Sequence, residues 1–160
     1  MKSVIFFLAI IMAVFFAACG GNDQSGDTSQ TPPQSMVADA KTDDGKGIGE
    51  IQEVTLNVPL NPDMVEKGKA IYEMKCAACH KLTDMRVVGP GFKGVTERRK
   101  PEWIMNMITN VEVMLEQDPT AQALLEECLT RMPNQNLSIG DARDVLEFFY
   151  ANDGVAVEEK

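Results

Sequence analysis

Cys76, Ala77, Ala78, Cys79 and His80 follow one another near the middle of the chain. Two thiols one helical turn apart reach the two vinyl groups on one edge of a porphyrin and form thioethers. The next residue then lies under the ring, where its imidazole binds iron. Cys-x-x-Cys-His is the spacing of covalent haem attachment. Three other chemistries use part of the set. A redox dithiol takes Cys-x-x-Cys in a strand-helix-strand setting, and no such pattern surrounds residues 76–79. A zinc centre would recruit Cys76, Cys79, His80 and Cys128, but sequence-adjacent Cys79 and His80 do not readily face one tetrahedral ion. A Cys76–Cys79 disulfide leaves His80 without a task. His80 is the only histidine, which excludes a second imidazole ligand from this chain and any centre built on several histidines.

Those residues need elements to hold them. Asn61-Pro62 reads as an N-cap with proline in the first helical position, and Val65, Gly68 and Tyr72 recur at helical spacing up to the motif. Gly89-Pro90-Gly91 and Gly94 punctuate a loop region. Pro101 opens a second helix with Ile104, Met107, Ile108 and Val111 on one face. Asp118-Pro119 starts a third, with Ala121, Leu124, Leu125 and Cys128 on its inner stripe. Ser138 and Asp141 form a capping box with a short acid. A last helix follows, with Ala142, Val145, Leu146, Phe149 and Tyr150 on its apolar face. No segment from residue 61 onward alternates as a strand does. The expected domain is all-α, spans residues 61–152 and leaves a tail over 153–160. A core this small gains from a large apolar cofactor.

In this order the pieces resemble a class I cytochrome c. Gly68 and Tyr72 match the small residue and aromatic of its N-terminal helix. Gly89-Pro90-Gly91-Phe92-Lys93-Gly94 is similar to its Gly-Pro-x-Leu-x-Gly loop, Arg131-Met132-Pro133 to its Met-Pro, and Leu146-x-x-Phe149-Tyr150 to its aromatic-ended last helix. The resemblance implies a small monohaem fold of three to five helices around one covalent haem c. It also implies that Cys76 and Cys79 attach the haem and that His80 and Met132 bind its iron. The Pro90 carbonyl would accept a hydrogen bond from the other ring nitrogen of His80, which fixes the imidazole. Of the ten methionines, Met105, Met107 and Met114 lie in helical runs where packing is the default. Met74 is too close to the attachment site, and Met85 precedes the Pro90 loop. Trp103 could donate its indole N–H to a haem propionate, and Cys128 reads as a buried inert thiol.

A thioether favours ferrous iron and fills the sixth position. That leaves electron shuttling rather than bond-making, so the reading is a one-electron carrier and not an enzyme. An alternative is a gas-binding or sensing haem protein whose sixth ligand is labile or absent. A peroxidase of the cytochrome c type generally uses two haems, and one attachment motif is present.

The N-terminus reads as an address. Lys2 precedes an apolar run from Val4 to Ala18, too short to span a bilayer comfortably. Phe16-Ala17-Ala18-Cys19-Gly20 resembles the bacterial lipobox, with Phe in place of the usual Leu. The resemblance implies a signal peptide over 1–18 and a lipidated Cys19; the other reading is an ordinary secretory signal that leaves Cys19 a free thiol. Several acyl chains would give stable anchoring. A linker over 19–60 follows, poor in aliphatic residues as far as Gly49 and of coil-like reach, about 35 Å for ~42 residues. Ile51, Val54, Leu56 and Val58 alternate partially, as in a stretch lying extended against a domain. The expected location is the periplasm or another extracytoplasmic membrane face, and Gly20 after Cys19 favours the outer membrane.

With 160 residues, 44% of them hydrophobic and a net charge of −9, the chain has the composition of a globular domain with a tail. It lacks the basic excess that nucleic-acid binding needs. Residues 67–100 hold nine basic residues and three acids, and residues 101–160 reverse the balance. A basic collar near the haem would steer an acidic redox partner. The expected partners are membrane lipid through Cys19, an electron-donor complex such as a quinol oxidiser, and a terminal oxidase or reductase.

Overall fold

The computed structural model describes residues 44–159; the expected signal peptide over 1–18, Cys19, the expected linker as far as residue 43, and Lys160 lie outside the described residues. Six helices form among them: α1 (Pro62–Lys75), α2 (Val95–Arg98), α3 (Pro101–Thr109), α4 (Val111–Gln117), α5 (Pro119–Cys128) and α6 (Ile139–Asn152). Three of the starts are locally encoded. The Asn61 side chain accepts from the backbone N–H groups of Asp63 and Met64, with Pro62 opening α1. Asp118 accepts from the Ala121 N–H at the start of α5. Ser138 and Asp141 exchange side-chain-to-backbone bonds at the start of α6.

The helices enclose one core, in which α1 and α6 form the most intimate pair. They cross at Gly68, where a Cβ would sit 2.0 Å from the Asp144 carbonyl oxygen. Only glycine permits that approach, and it brings Tyr72 of α1 against Phe148 and Phe149 of α6, with ring centroids 5.4 and 6.3 Å away. Ala142, Val145 and Leu146 are fully buried on the same side of α6.

The helix expected to run from Pro101 through Val111 is broken into α3 and α4. The break falls at Asn110, which leaves helical geometry with φ −137° and ψ 45° and donates its side-chain amide to the Ile48 carbonyl. The partner lies 62 residues away, so local periodicity does not reveal the break.

The boundaries expected at Asn61 and Asn152 both fall inside packed structure. Residues 44–60 form an extended wrap across α3, α4 and α6. Ile51 and Leu60 are buried, Val54 and Leu56 pack against the core, and Val58 is 87% exposed. An extended segment without a sheet partner must satisfy its peptide groups elsewhere. The fully buried Asn106 does this, donating to the carbonyls of Lys46 (3.1 Å) and Ile51 (2.9 Å) and accepting from the Ile51 N–H (3.2 Å). Buried Glu147 accepts from the Asn57 amide groups and the Asn61 N–H while paired with Arg143 at 2.6 Å. At the other end, Leu60 pairs with the tail. Its N–H donates to the Ala156 carbonyl, and its carbonyl accepts from Glu158, each at 2.9 Å.

Candidate functional site

The Cys-x-x-Cys-His turn is wound directly onto the end of α1. Cys76 caps the helix, donating its N–H to the Tyr72 carbonyl at 2.9 Å, and the His80 N–H donates back to the Cys76 carbonyl at 2.9 Å. Cys76 is buried and Cys79 half-buried, and they are not joined in a disulfide. Burial pushes the Cys76 thiol up to about 11, against the opposing pull of Lys75. Among the described residues no group of three or more His, Cys, Asp and Glu comes together to hold a metal ion. The zinc arrangement through Cys128 is therefore not assembled.

His80 is held from several sides. Its Nδ1 lies 2.9 Å from the Pro90 carbonyl oxygen. A carbonyl only accepts, so Nδ1 carries the proton and the Nε2 lone pair is left for a metal. The imidazole stacks on Phe92, centroids 4.4 Å apart and planes 11° from parallel. Gly89 meets the ring edge so closely that a Cβ there would fall 2.1 Å from its Cε1. Burial moves the imidazole below its ordinary value, with the Pro90 bond opposing; the shift favours the neutral form that a metal ligand uses. The loop that supplies Pro90 is pinned by the Gly89 N–H to the Cys79 carbonyl and by the Phe92 N–H to the Lys81 carbonyl. Arg98 clasps it from α2 through the Gly91 and Lys93 carbonyls, and Arg86 ties it to Glu127 at the end of α5.

His80 and Cys79 face a cavity of about 490 Å³ whose remaining walls are almost wholly apolar. They include Ile104, Met107 and Ile108 of α3, Leu124 and Leu125 of α5, Phe149 of α6, and Met132 with Pro133 from the loop before α6. The volume is in the range of cofactor sites. An apolar slot beside two thiols and an imidazole with a free Nε2 fits a covalently held iron porphyrin. Arg98 and Arg99 also border the slot, the latter with its guanidinium 5.1 Å from the Trp103 ring centroid.

Cys79, His80, Pro90 and Met132 therefore come to one cavity, and Cys76, in the same turn, accepts directly from the Cys79 and His80 N–H groups. Two expectations change. The Trp103 indole donates to buried Asp118 at 3.0 Å, so it is not free for a propionate. Cys128 is half-buried on the cavity wall and not sealed in the core. Met107, expected with Met105 and Met114 as a packing residue, faces the cavity from α3, whereas Met105 and Met114 are buried in the core. Met114 accepts from the Ile48 N–H; Met74 and Met85 are 79% and 60% exposed. The 3.6-residue period separates Met105 from Met107 by roughly 200° around the helix, a signal present in the sequence.

The sequence profile of the family described as cytochrome c matches residues 65–150, more than half of the chain. The chain belongs to the cytochrome c family. This cytochrome is also similar to the solved cytochrome c from Rhodothermus marinus, at 32% identity and a TM-score of 0.64, over 66% of this chain and 90% of that one. An engineered Rhodothermus marinus cytochrome c matches at 31% identity and 0.63, and a form bound to a carbene intermediate at 30% and 0.60, with the same coverage. A comparison with curated protein sequences yields no match. The all-α architecture is thus the small cytochrome c fold, its cofactor is a single covalent haem c, and its general role is haem-based electron transfer.

Proposed function

We propose that this cytochrome is a one-electron carrier tethered to an extracytoplasmic membrane surface, with haem joined to Cys76 and Cys79 and iron held between His80 and Met132. The observation that carries the reading is one apolar cavity receiving both Met132 and a His80 whose outward ring nitrogen is set by Pro90. Bound haem supplies the one-electron iron couple. The protein contributes the rest. Pro90, Phe92 and Gly89 hold the imidazole in one orientation, and the apolar walls exclude water. Met132 offers a soft ligand that favours the ferrous state. His80 and Met132 together would hold the iron and leave it no position for a substrate.

Met132 is favoured over Met107 because it sits in the irregular loop between α5 and α6, followed by Pro133, whereas Met107 is part of helix α3. In the purified holoprotein, Met132→Ala is expected to abolish the weak near-infrared sulfur-to-iron band and lower the midpoint potential, while Met107→Ala leaves the band in place. The reverse pattern would transfer the ligand role to Met107. A high-spin ferric spectrum in the unaltered protein would favour gas binding instead. The tether is supported by the lipobox-like Phe16-Ala17-Ala18-Cys19 after the apolar run. The donor would be a membrane complex that oxidises quinol, and the acceptor a terminal oxidase or reductase.

A further inference from the structure

We propose that Tyr72 is a positioning residue for the iron ligand, its hydroxyl setting the tilt of the His80 imidazole through the His80 backbone carbonyl. The inference rests on His80 binding the iron. Tyr72 is 5% exposed and lies among the rings of three phenylalanines. Phe148, Phe149 and Phe92 lie 5.4, 6.3 and 6.4 Å away between centroids. Packing there asks only for a ring. A hydroxyl in such surroundings costs stability unless it is paired, and this one donates to the His80 carbonyl at 2.8 Å.

The same residue grips the other end of the attachment turn, since its own carbonyl accepts from the Cys76 and Ala77 N–H groups at 2.9 and 3.0 Å. Tyr72 therefore straddles the whole Cys-x-x-Cys-His segment. It is itself fixed by the α1–α6 crossing one turn earlier at Gly68. Pro90 controls one ring nitrogen and Phe92 one ring face; the His80 N–H is held by the Cys76 carbonyl, but none of these fixes the His80 carbonyl. The hydroxyl does, so removing it widens the set of orientations open to the imidazole.

The test compares the ferric holoprotein with Tyr72→Phe by NMR and redox titration. The paramagnetic shifts of the haem methyls report the orientation of the axial imidazole, which a role limited to packing would not move. Tyr72→Phe is expected to displace those shifts and change the midpoint potential. Phe148→Leu, which disturbs the same cluster but keeps the hydroxyl, is expected to lower stability and leave the shifts in place. Haem-methyl shifts in Tyr72→Phe superimposable on wild type would overturn the proposal. Should that variant yield no holoprotein, the wild type decides. A slowly exchanging Tyr72 hydroxyl proton supports the bond, and rapid exchange with solvent refutes it. Wild-type protein without a low-spin, histidine-ligated spectrum would sink the underlying ligand assignment, and that outcome is distinct from a silent Tyr72→Phe.

Discussion

Asp153 shows how much one side chain beyond the last helix does for the site. Its carboxylate accepts from the Gly94 N–H at 2.9 Å and from the Thr96 N–H and hydroxyl at 3.1 and 2.7 Å. It thereby holds the start of α2, the helix from which Arg98 clasps the proximal loop. Partial burial raises its carboxyl, but the bonds from Thr96, Gly94 and Asn152 outweigh that and bring it below the ordinary value of 3.8. A carboxyl depressed in the folded state adds stability that is present above the unfolded value and disappears as pH falls through the folded one. Wild type is therefore expected to exceed Asp153→Asn in urea-denaturation midpoint at pH 7, with the gap closing below about pH 4. A gap that stayed constant down to pH 2.5 would assign the difference to geometry and not to charge. At this scale the sequence was highly informative about Cys76, Cys79 and His80, because their spacing itself is the chemistry. It said nothing of Asp153, whose partners are 57 and 59 residues away.

Among the elements, the wrap over residues 44–60 departs furthest from what patterning suggests. Its first half is glycine-rich and polar and reads as tether. Glycine is needed there for closeness: a Cβ at Gly49 would fall 2.2 Å from the Asn106 side-chain oxygen, and one at Gly47 2.7 Å from Met114. Asn106 is the peg, fully buried on α3 and absent from the cavity wall that its neighbour Met107 lines. Asn106→Ala would leave the Ile51 N–H and two carbonyls without their partner. It is expected to lower the unfolding free energy of the holoprotein by roughly 1–3 kcal/mol and to open residues 44–56 to limited proteolysis. Unchanged urea midpoint and protease resistance would show that the wrap holds without it. The helix starts at Asn61, Asp118 and Ser138 were legible for the opposite reason: each cap bonds within three residues of itself.

For the whole molecule, the contrast lies between a neutral, apolar interior slot and a charged exterior on which many basic side chains are already engaged. Lys75 donates to Gln135, Lys81 to Ala77, Lys100 to Asp44, and Arg86 is paired with Glu127. Their charges remain and contribute to any encounter with an acidic partner, but their geometry serves the fold. No helix among the described residues is long and apolar enough to cross a membrane. In the proposed reading, attachment is through lipidated Cys19 after the lipobox-like Phe16-Ala17-Ala18. Full-length protein produced in a haem-maturing bacterial host is expected to sediment with membranes and incorporate labelled palmitate. Cys19→Ser should appear in the soluble fraction with an unaltered haem spectrum. A Cys19→Ser protein that remained membrane-bound would place the anchor elsewhere.

The linear chain by itself determined the attachment turn, the three capped helix starts and the all-α class. Each of these is written in spacings of a few residues, where covalent reach and capping geometry leave little choice. Tertiary structure alone decided that the helix begun at Pro101 breaks at Asn110, that the Trp103 indole answers to Asp118, and that packed chain begins ahead of Asn61. Those outcomes depend on pairings separated by 15 to 90 residues. A buried polar group must find its partner wherever the fold brings one, and no local pattern records where that will be.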